Sequence, residues 1–369
     1  MPNRLQQLHA QGQSIWLDFI DRTILQNGEL ARRIRDDALT GETSNPTIFE
    51  KALAEGAAYD EQLAALAADG PIDAATAFEA VETDDVRSAC DIFRPVYDQT
   101  DGQDGFVSIE VSPGVANDTA ATVAEAQRLW KTVGRPNVMV KVPGTDAGAA
   151  AVRRLIADGI NVNITLLFAI EAHARVIDAY LAGLGDRVQK GLPIDRVASV
   201  ASFFVSRVDT EIDKRLDAIG GSATALKGRA AVANAKLAYA LFQQRFAGPA
   251  WEALRAKGAR VQRPLWASTG TKNPAYSDVL YVETLIGPDT VNTMPPATID
   301  AFRDHGVAAR TVDVDIDGER RVIAQIEAAG VSMKAVTDKL LSDGLASFQK
   351  SFETLLAGLE KKTRVVAAR

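Results

Sequence analysis

Six polar side chains set in apolar runs carry the chemistry this sequence could do. Lys141 lies in Asn137-Val-Met-Val-Lys-Val-Pro143, where Val138, Val140 and Val142 alternate with Met139, Lys141 and Pro143, at the two-residue period of a strand. An ammonium among β-branched residues is costly unless it is paired or neutralised. Desolvation lowers its pKa, and a neutral amine attacks carbonyl carbon. One such lysine is ordinary where a strand end reaches water. Here Asp18, Glu110, Asn163, Thr165 and Ser202 occupy the polar parity of four further apolar runs, which makes a set of unrelated strand-end residues a poor account.

A lysine that condenses with a ketone or aldehyde forms an iminium, an electron sink that permits cleavage of a neighbouring carbon–carbon bond. One carboxylate is needed to move protons during carbinolamine dehydration, and a second to take the proton from the hydroxyl whose carbon leaves. Amides and hydroxyls would hold sugar hydroxyls. Arg207 and Lys272 follow two later strands, where barrels commonly hold a phosphate and where arginine offers paired donors to its oxygens. This chemistry requires no metal site. The three histidines, His9, His173 and His305, are scattered, and His173 falls in a helical segment that suggests packing or surface.

These residues must be positioned by strands. Candidates are Ser14–Ile20, a short one ending at Asn45, Gly105–Val111, the Lys141 strand, Ile160–Leu167, Val197–Phe204, Arg263–Thr269 and Thr290–Met294. Helical segments separate most of them: about 29–39, two or three helices between 47 and 99 broken at Gly70-Pro71, one opened by Asn117-Asp118 and running to 133, and one capped by Thr145 or Asp146 and running to 158. Pro46 can open a helix, and Asp73 can cap one. In a parallel sheet covered by helices both strand parities should be apolar. Polar groups recurring on one parity, toward the strand C-termini, therefore point into the mouth of a barrel. The expected fold is an (α/β)8 TIM-type barrel with additional helices: an insertion at about 206–259, between strands six and seven, and a helical C-terminus at about 297–369 ending in an amphipathic helix from 332 to 362. One domain, 1–369, is expected. No Gly-x-Gly-x-x-Gly follows a strand, so a dinucleotide-binding sheet lacks its fingerprint.

The balance of 41 basic against 48 acidic residues gives a net charge of −7, which argues against nucleic acid as partner. A single cysteine, Cys90, excludes an intramolecular disulfide and a cysteine-based zinc site. The start lacks the apolar core of a secretory signal, and no apolar run approaches membrane-spanning length. A soluble, cytoplasmic protein is expected, monomer or homodimer, with no membrane partner.

Several segments resemble the transaldolases, Schiff-base enzymes of the pentose phosphate pathway. They are Thr43-Ser-Asn-Pro46, Ser108-Ile-Glu-Val111, Val138-Met-Val-Lys-Val142, Gly159-Ile-Asn-Val-Asn-Ile-Thr-Leu-Leu-Phe168, Ser202-Phe-Phe-Val-Ser-Arg207 and Trp266-Ala-Ser-Thr-Gly-Thr-Lys-Asn-Pro274. The resemblance implies the barrel, sugar-phosphate substrates, and neither metal nor cofactor. It makes Lys141 the Schiff-base lysine, Glu110 the acid/base working through a water held by Thr165, and Asp18 the base at the sugar C4 hydroxyl. Asn45 and Asn163 would hold the dihydroxyacetone fragment, Ser202 and Phe204 would shape its pocket, and Thr43 belongs to the first motif. Arg207 and Ser268 would bind phosphate. Many members carry an arginine shortly after that serine; here two further residues intervene and Lys272 stands nearest. The implied reaction moves a dihydroxyacetone unit from fructose 6-phosphate or sedoheptulose 7-phosphate to glyceraldehyde 3-phosphate or erythrose 4-phosphate.

The nearest alternative is fructose-6-phosphate aldolase, which uses the same barrel and lysine but releases dihydroxyacetone to water. That group tends to carry Gln at the position of Glu110 and Tyr at that of Phe204, so both positions favour the transferase. A non-catalytic sugar-phosphate-binding barrel would have no need of a buried amine. An isomerase barrel would want a glutamate base and a histidine electrophile, and no histidine follows a strand.

Overall fold

The computed structural model describes residues 2–54, 56–68, 70 and 72–367. Eight parallel strands, each paired with its sequence neighbours and the first with the last, close into a barrel. They are β1 (Gln13–Asp18), β2 (Leu39–Thr43), β3 (Phe106–Glu110), β4 (Val138–Pro143), β5 (Val162–Leu167), β6 (Ser199–Phe204), β7 (Arg263–Ala267) and β8 (Thr290–Met294). Helices cover the outside, so both parities of the strands are buried. The register sets Asp18 beside Thr43, Thr43 beside Ser108, Glu110 beside Lys141, and Lys141 beside Asn163. The polar parity read from the sequence is thus one connected belt near the strand C-termini. At the other end a side chain on Gly41 would collide with the Trp16 ring, with a Cβ 2.5 Å from it. Glycine there lets β1 and β2 pair around a buried indole.

Local chemistry explains most boundaries. Asp73, Asp118 and Thr145 each accept a backbone N–H in the first turn of the helix they open, satisfying donors that have no partner inside the helix. Pro46 starts a helix, and the segment after it forms three, Pro46–Ala54, Asp60–Ala67 and Ala74–Gln99. Pro71 of the expected break lies outside the described residues. Several strand ends differ from expectation by one or two residues, two of them for an evident local reason. β2 stops at Thr43, because Asn45 turns to cap the next helix, its Oδ1 accepting the Ile48 N–H at 3.0 Å. β5 starts at Val162, because the Asn161 amide ties together the feet of the barrel, donating to the Pro136 and Val138 carbonyls and accepting from the Ala198 N–H. Near its other end β5 slips register against β6 at Leu166, which sits at φ +59°, a bulge that ends simple alternation.

The insertion between β6 and β7 carries helices Ser206–Ile219, Ala230–Arg245 and Pro249–Arg255. The C-terminal part adds Pro296–His305, Ile316–Ala328 and the 35-residue Met333–Ala367. This last helix crosses the C-terminal face of the barrel. Gly344 faces the Leu166 bulge so closely that a Cβ would stand 2.8 Å from Leu166 Cδ2 and 3.7 Å from an Arg207 guanidinium nitrogen. Further along, the Ser351 hydroxyl meets Thr47 at 2.9 Å, and the Phe352 ring meets Phe78 edge-on at 5.8 Å. Among the described residues no helix is long and apolar enough to cross a membrane.

Candidate active site

The mouth of the barrel holds a cavity of about 420 Å³, lined by Asp18, Thr43, Asn45, Lys141, Thr165, Ser202, Phe204, Arg207, Ser268 and Lys272 among others. Ten of the twelve residues expected from the sequence therefore line one space. The other two, Glu110 and Asn163, stand directly behind it.

Lys141 is 5% exposed. Its Nζ lies 3.0 Å from Glu110 Oε2 and donates to the Ser44 carbonyl at 2.9 Å. The ammonium is thereby paired in the resting site. Burial pushes the Glu110 carboxyl above its ordinary range, against the pull of Lys141. A carboxylate raised in this way readily accepts the lysine proton and frees the amine. Asp18, at the tip of β1, accepts the Thr43 hydroxyl at 3.0 Å, and Thr43 in turn meets Thr293 of β8 at 2.7 Å. Burial raises the Asp18 carboxyl as well, opposed first by Lys141, then by the Thr43 hydrogen bond, Arg207 and Lys272. The two carboxylates thus flank one lysine: one in contact with it, the other coupled to it through space.

Asn163 is fully buried and does not line the cavity. Its side chain is committed on both sides, accepting the Ser202 hydroxyl at 2.6 Å and donating to Ser108 Oγ at 3.0 Å. It fixes where Ser202 points. The Thr165 hydroxyl is buried and makes no hydrogen bond among the described residues, although it lines the same cavity as Lys141. Asn45 spends its oxygen on the helix cap and lines the cavity.

At the outer end, Arg207 begins helix Ser206–Ile219, its guanidinium 5.1 Å from the centre of the Phe204 ring. Ser268 follows β7 in the left-handed region at φ +56°, a strained setting for a non-glycine residue. Its hydroxyl meets that of Ser206 at 3.0 Å, which ties the β7 turn to the start of the Arg207 helix. Neither Arg207 nor Lys272 has an ion-pair partner among the described residues, and burial lowers the Arg207 guanidinium pKa. Two unpaired cations beside a hydroxyl suit a phosphate dianion.

Sequence reasoning missed several lining residues. Lys51 and Thr47 share a face of helix Pro46–Ala54, four residues apart, and both line the cavity; that spacing after Asn45 was a usable signal. Thr293, on the polar parity of β8, was another. Phe348, contributed by the last helix, had none. His173 proves to be core: it is fully buried, neither ring nitrogen has a partner among the described residues, and burial lowers its pKa to about 4.

This geometry agrees with the comparisons to known proteins. The family profile described as "Transaldolase/Fructose-6-phosphate aldolase" matches residues 15–359. The chain belongs to the transaldolase/fructose-6-phosphate aldolase family. Among curated relatives it is 49% identical to "Transaldolase" of Acidothermus cellulolyticus over 362 residues, covering 98% of this chain and 97% of that one. It is 50% identical to "Transaldolase" of Thermobifida fusca, over 96% and 97%, and 44% identical to "Transaldolase 2" of Nostoc sp., over 99% of each. The likeness includes the insertion and the last helix, so in this family member those parts are not appended to a smaller relative.

Proposed function

We propose that this transaldolase-family enzyme is a transferase that moves dihydroxyacetone units between sugar phosphates through a Schiff base on Lys141. Glu110 takes a proton from the Lys141 ammonium, the amine attacks C2 of the donor ketose phosphate, and Glu110 returns the proton to the carbinolamine oxygen, which leaves as water. Thr165 holds the water through which Glu110 reaches that oxygen. Asp18 then removes the C4 hydroxyl proton, the C3–C4 bond breaks, and an aldose phosphate departs. The three-carbon enamine stays on Lys141, held by Asn45 and by Ser202, which Asn163 orients, with Phe204 against it. Arg207, Ser268 and Lys272 bind the phosphate of donor and acceptor. An acceptor aldose reverses the steps.

The observation that carries this reading is the buried Lys141–Glu110 pair at 3.0 Å, opening on a cavity that Asp18 also lines. Glutamate at 110 and phenylalanine at 204 favour transfer over release of dihydroxyacetone to water. We read the chain as one domain, acting on soluble sugar phosphates in the cytoplasm as monomer or homodimer. Borohydride reduction in the presence of fructose 6-phosphate, with peptide mass mapping, tests it. A reduced three-carbon adduct on the Lys141 peptide is expected. Active, folded protein that yields none refutes the lysine mechanism.

A further inference from the structure

Glu110 lines a second, smaller cavity, of about 280 Å³, which it shares with Glu79 and Glu82 of helix Ala74–Gln99, Glu125 and Arg128 of helix Thr119–Val133, and Phe352 of the last helix. The steps above use Glu110 and none of the other carboxylates. Two of those have evident structural work. Glu79 pairs with Arg128, and Glu125 accepts the Ser112 N–H and hydroxyl at 2.9 Å each. Glu82 has neither. It is 5% exposed and makes no hydrogen bond or ion pair among the described residues, on a face of its helix otherwise filled by Phe78, Val81 and Val86. An apolar residue there would avoid the cost of burying a carboxyl. Nor do these carboxylates form a cation site, since among the described residues no three are gathered as a metal ion requires.

The groups facing Glu82 decide its state. Burial acts first to raise its pKa; Glu110 of β3, Glu125 across the cavity and Glu79 on its own helix push the same way, and Lys141 of β4 pulls weakly against them. Arg128 is already paired with Glu79. Burial and the three neighbouring carboxylates thus all favour its protonated form, and a protonated carboxyl is a hydrogen-bond donor.

Resting on the Lys141–Glu110 mechanism above, we propose that Glu82 is a positioning residue for Glu110: its carboxylic acid donates through water in the side cavity and holds the Glu110 carboxylate toward Lys141. Glu82 keeps its own proton throughout. The proton that Glu110 takes from Lys141 is the one it returns to the carbinolamine oxygen, so the cycle balances without exchange through Glu82. Ionisation of Glu82 as pH rises removes the donor and sets a second negative charge behind Glu110, which gives the enzyme an upper pH limit that belongs to a residue outside the substrate cavity.

The test compares the full-length wild type with Glu82→Leu and Glu82→Gln, following borohydride-trapped adduct formation and the pH profile of transfer. Loss of the donor in Glu82→Leu slows adduct formation about tenfold, the size of one hydrogen bond to a charged group, with little change in KM. Glu82→Gln keeps a donor, recovers most of that rate, and cannot ionise, so its alkaline limb moves up by about one pH unit or more. An unslowed Glu82→Leu, or an unshifted limb in Glu82→Gln, overturns the proposal. If Glu82→Leu does not fold, infrared absorption decides beside the Glu82→Gln profile: the wild type carries a protonated-carboxyl band that Glu82→Gln lacks, and no such difference also overturns it. Wild type that forms no Lys141 adduct removes the lysine mechanism itself. An adduct that forms equally well in both variants removes only the role of Glu82.

Discussion

Replacing Lys141 by methionine keeps the volume and removes the one cation in contact with Glu110 among the described residues. Glu110 is 6% exposed, and breaking a buried pair by removing one partner costs about 3–5 kcal/mol when the survivor stays charged. Glu110 can avoid that by taking a proton. Its pKa is already raised by burial, and Lys141 is the first of the causes that hold it down. Without Lys141 the carboxyl stays neutral further up the pH scale. The cost of keeping an acid of ordinary pKa 4.5 neutral is about 1.36 kcal/mol per pH unit. Over the two and a half units to pH 7 it reaches at most about 3.4 kcal/mol. A raised folded-state pKa means stability that is full below the unfolded value and lost as pH rises. Lys141→Met should therefore match the wild type near pH 4.5 and fall behind it above the pH at which wild-type Glu110 ionises, by up to about 1.4 kcal/mol per unit. Urea unfolding at a series of pH values measures this directly. Lys141→Met combined with Glu110→Gln should remove the slope. A deficit of the same size at every pH would refute the reasoning, because it would mean that lost packing, not an uncompensated carboxyl, is what the variant reports.

Asp18→Asn leaves the Lys141–Glu110 pair intact but removes the base proposed for cleavage. Borohydride should then trap a six-carbon adduct from fructose 6-phosphate in place of the three-carbon one, with turnover down by about 10²–10⁴. Glu42 of β2 is fully buried with both oxygens lacking a partner among the described residues, and burial raises its pKa well above the ordinary 4.5. The same sign rule makes it a liability that grows with pH, so Glu42→Gln should gain on the wild type above pH 4.5 by up to about 1.4 kcal/mol per unit in urea unfolding. Gly344→Leu has no room against Leu166 and should cost about 1–3 kcal/mol by overpacking. It should also raise KM for fructose 6-phosphate, by displacing the last helix from Arg207, while borohydride still finds Lys141.

The belt of polar residues that forms the candidate site was legible because a covered parallel strand has no ordinary use for polar side chains on either face. Lys141 inside a valine run, Glu110 after Val107 and Ile109, and Asn163 between Val162 and Ile164 each break the apolar pattern on one parity. Register in adjacent strands then makes them neighbours. What stayed hidden lacked a local pattern. Phe348 is one apolar residue on a long amphipathic helix, and nothing within that helix tells which end of the barrel it crosses. Glu82 reads as a surface carboxylate because its neighbours Glu79, Asp84 and Asp85 are acidic too; only tertiary burial sets it apart. The bulge at Leu166 could not be read either, since its cause is the long-range mismatch between β5 and β6.

On the proposed mechanism, the placement of Asp18 away from direct contact with Lys141 has a consequence for how long the enamine survives. Asp18 in its charged form is favoured chiefly by the cation at Lys141, with Thr43, Arg207 and Lys272 adding less. While the nitrogen is a positive iminium, that cation persists and Asp18 can remain a carboxylate, ready to take the C4 hydroxyl proton. Cleavage moves an electron pair onto the nitrogen and a proton onto Asp18, so both charges vanish together. In a buried cavity a neutral enamine beside a neutral acid is favoured over a separated ion pair, because desolvation penalises each charge. Departure of the aldose phosphate removes a further anion from Arg207 and Lys272. The site is then poised for an incoming aldose, whose carbonyl oxygen accepts that proton as the new bond forms. A lyase needs the opposite, a donor that protonates the enamine carbon. Holding the proton on an aspartate tied to Thr43, in a cavity that the last helix lines through Phe348, keeps it available to an acceptor oxygen and thereby favours transfer.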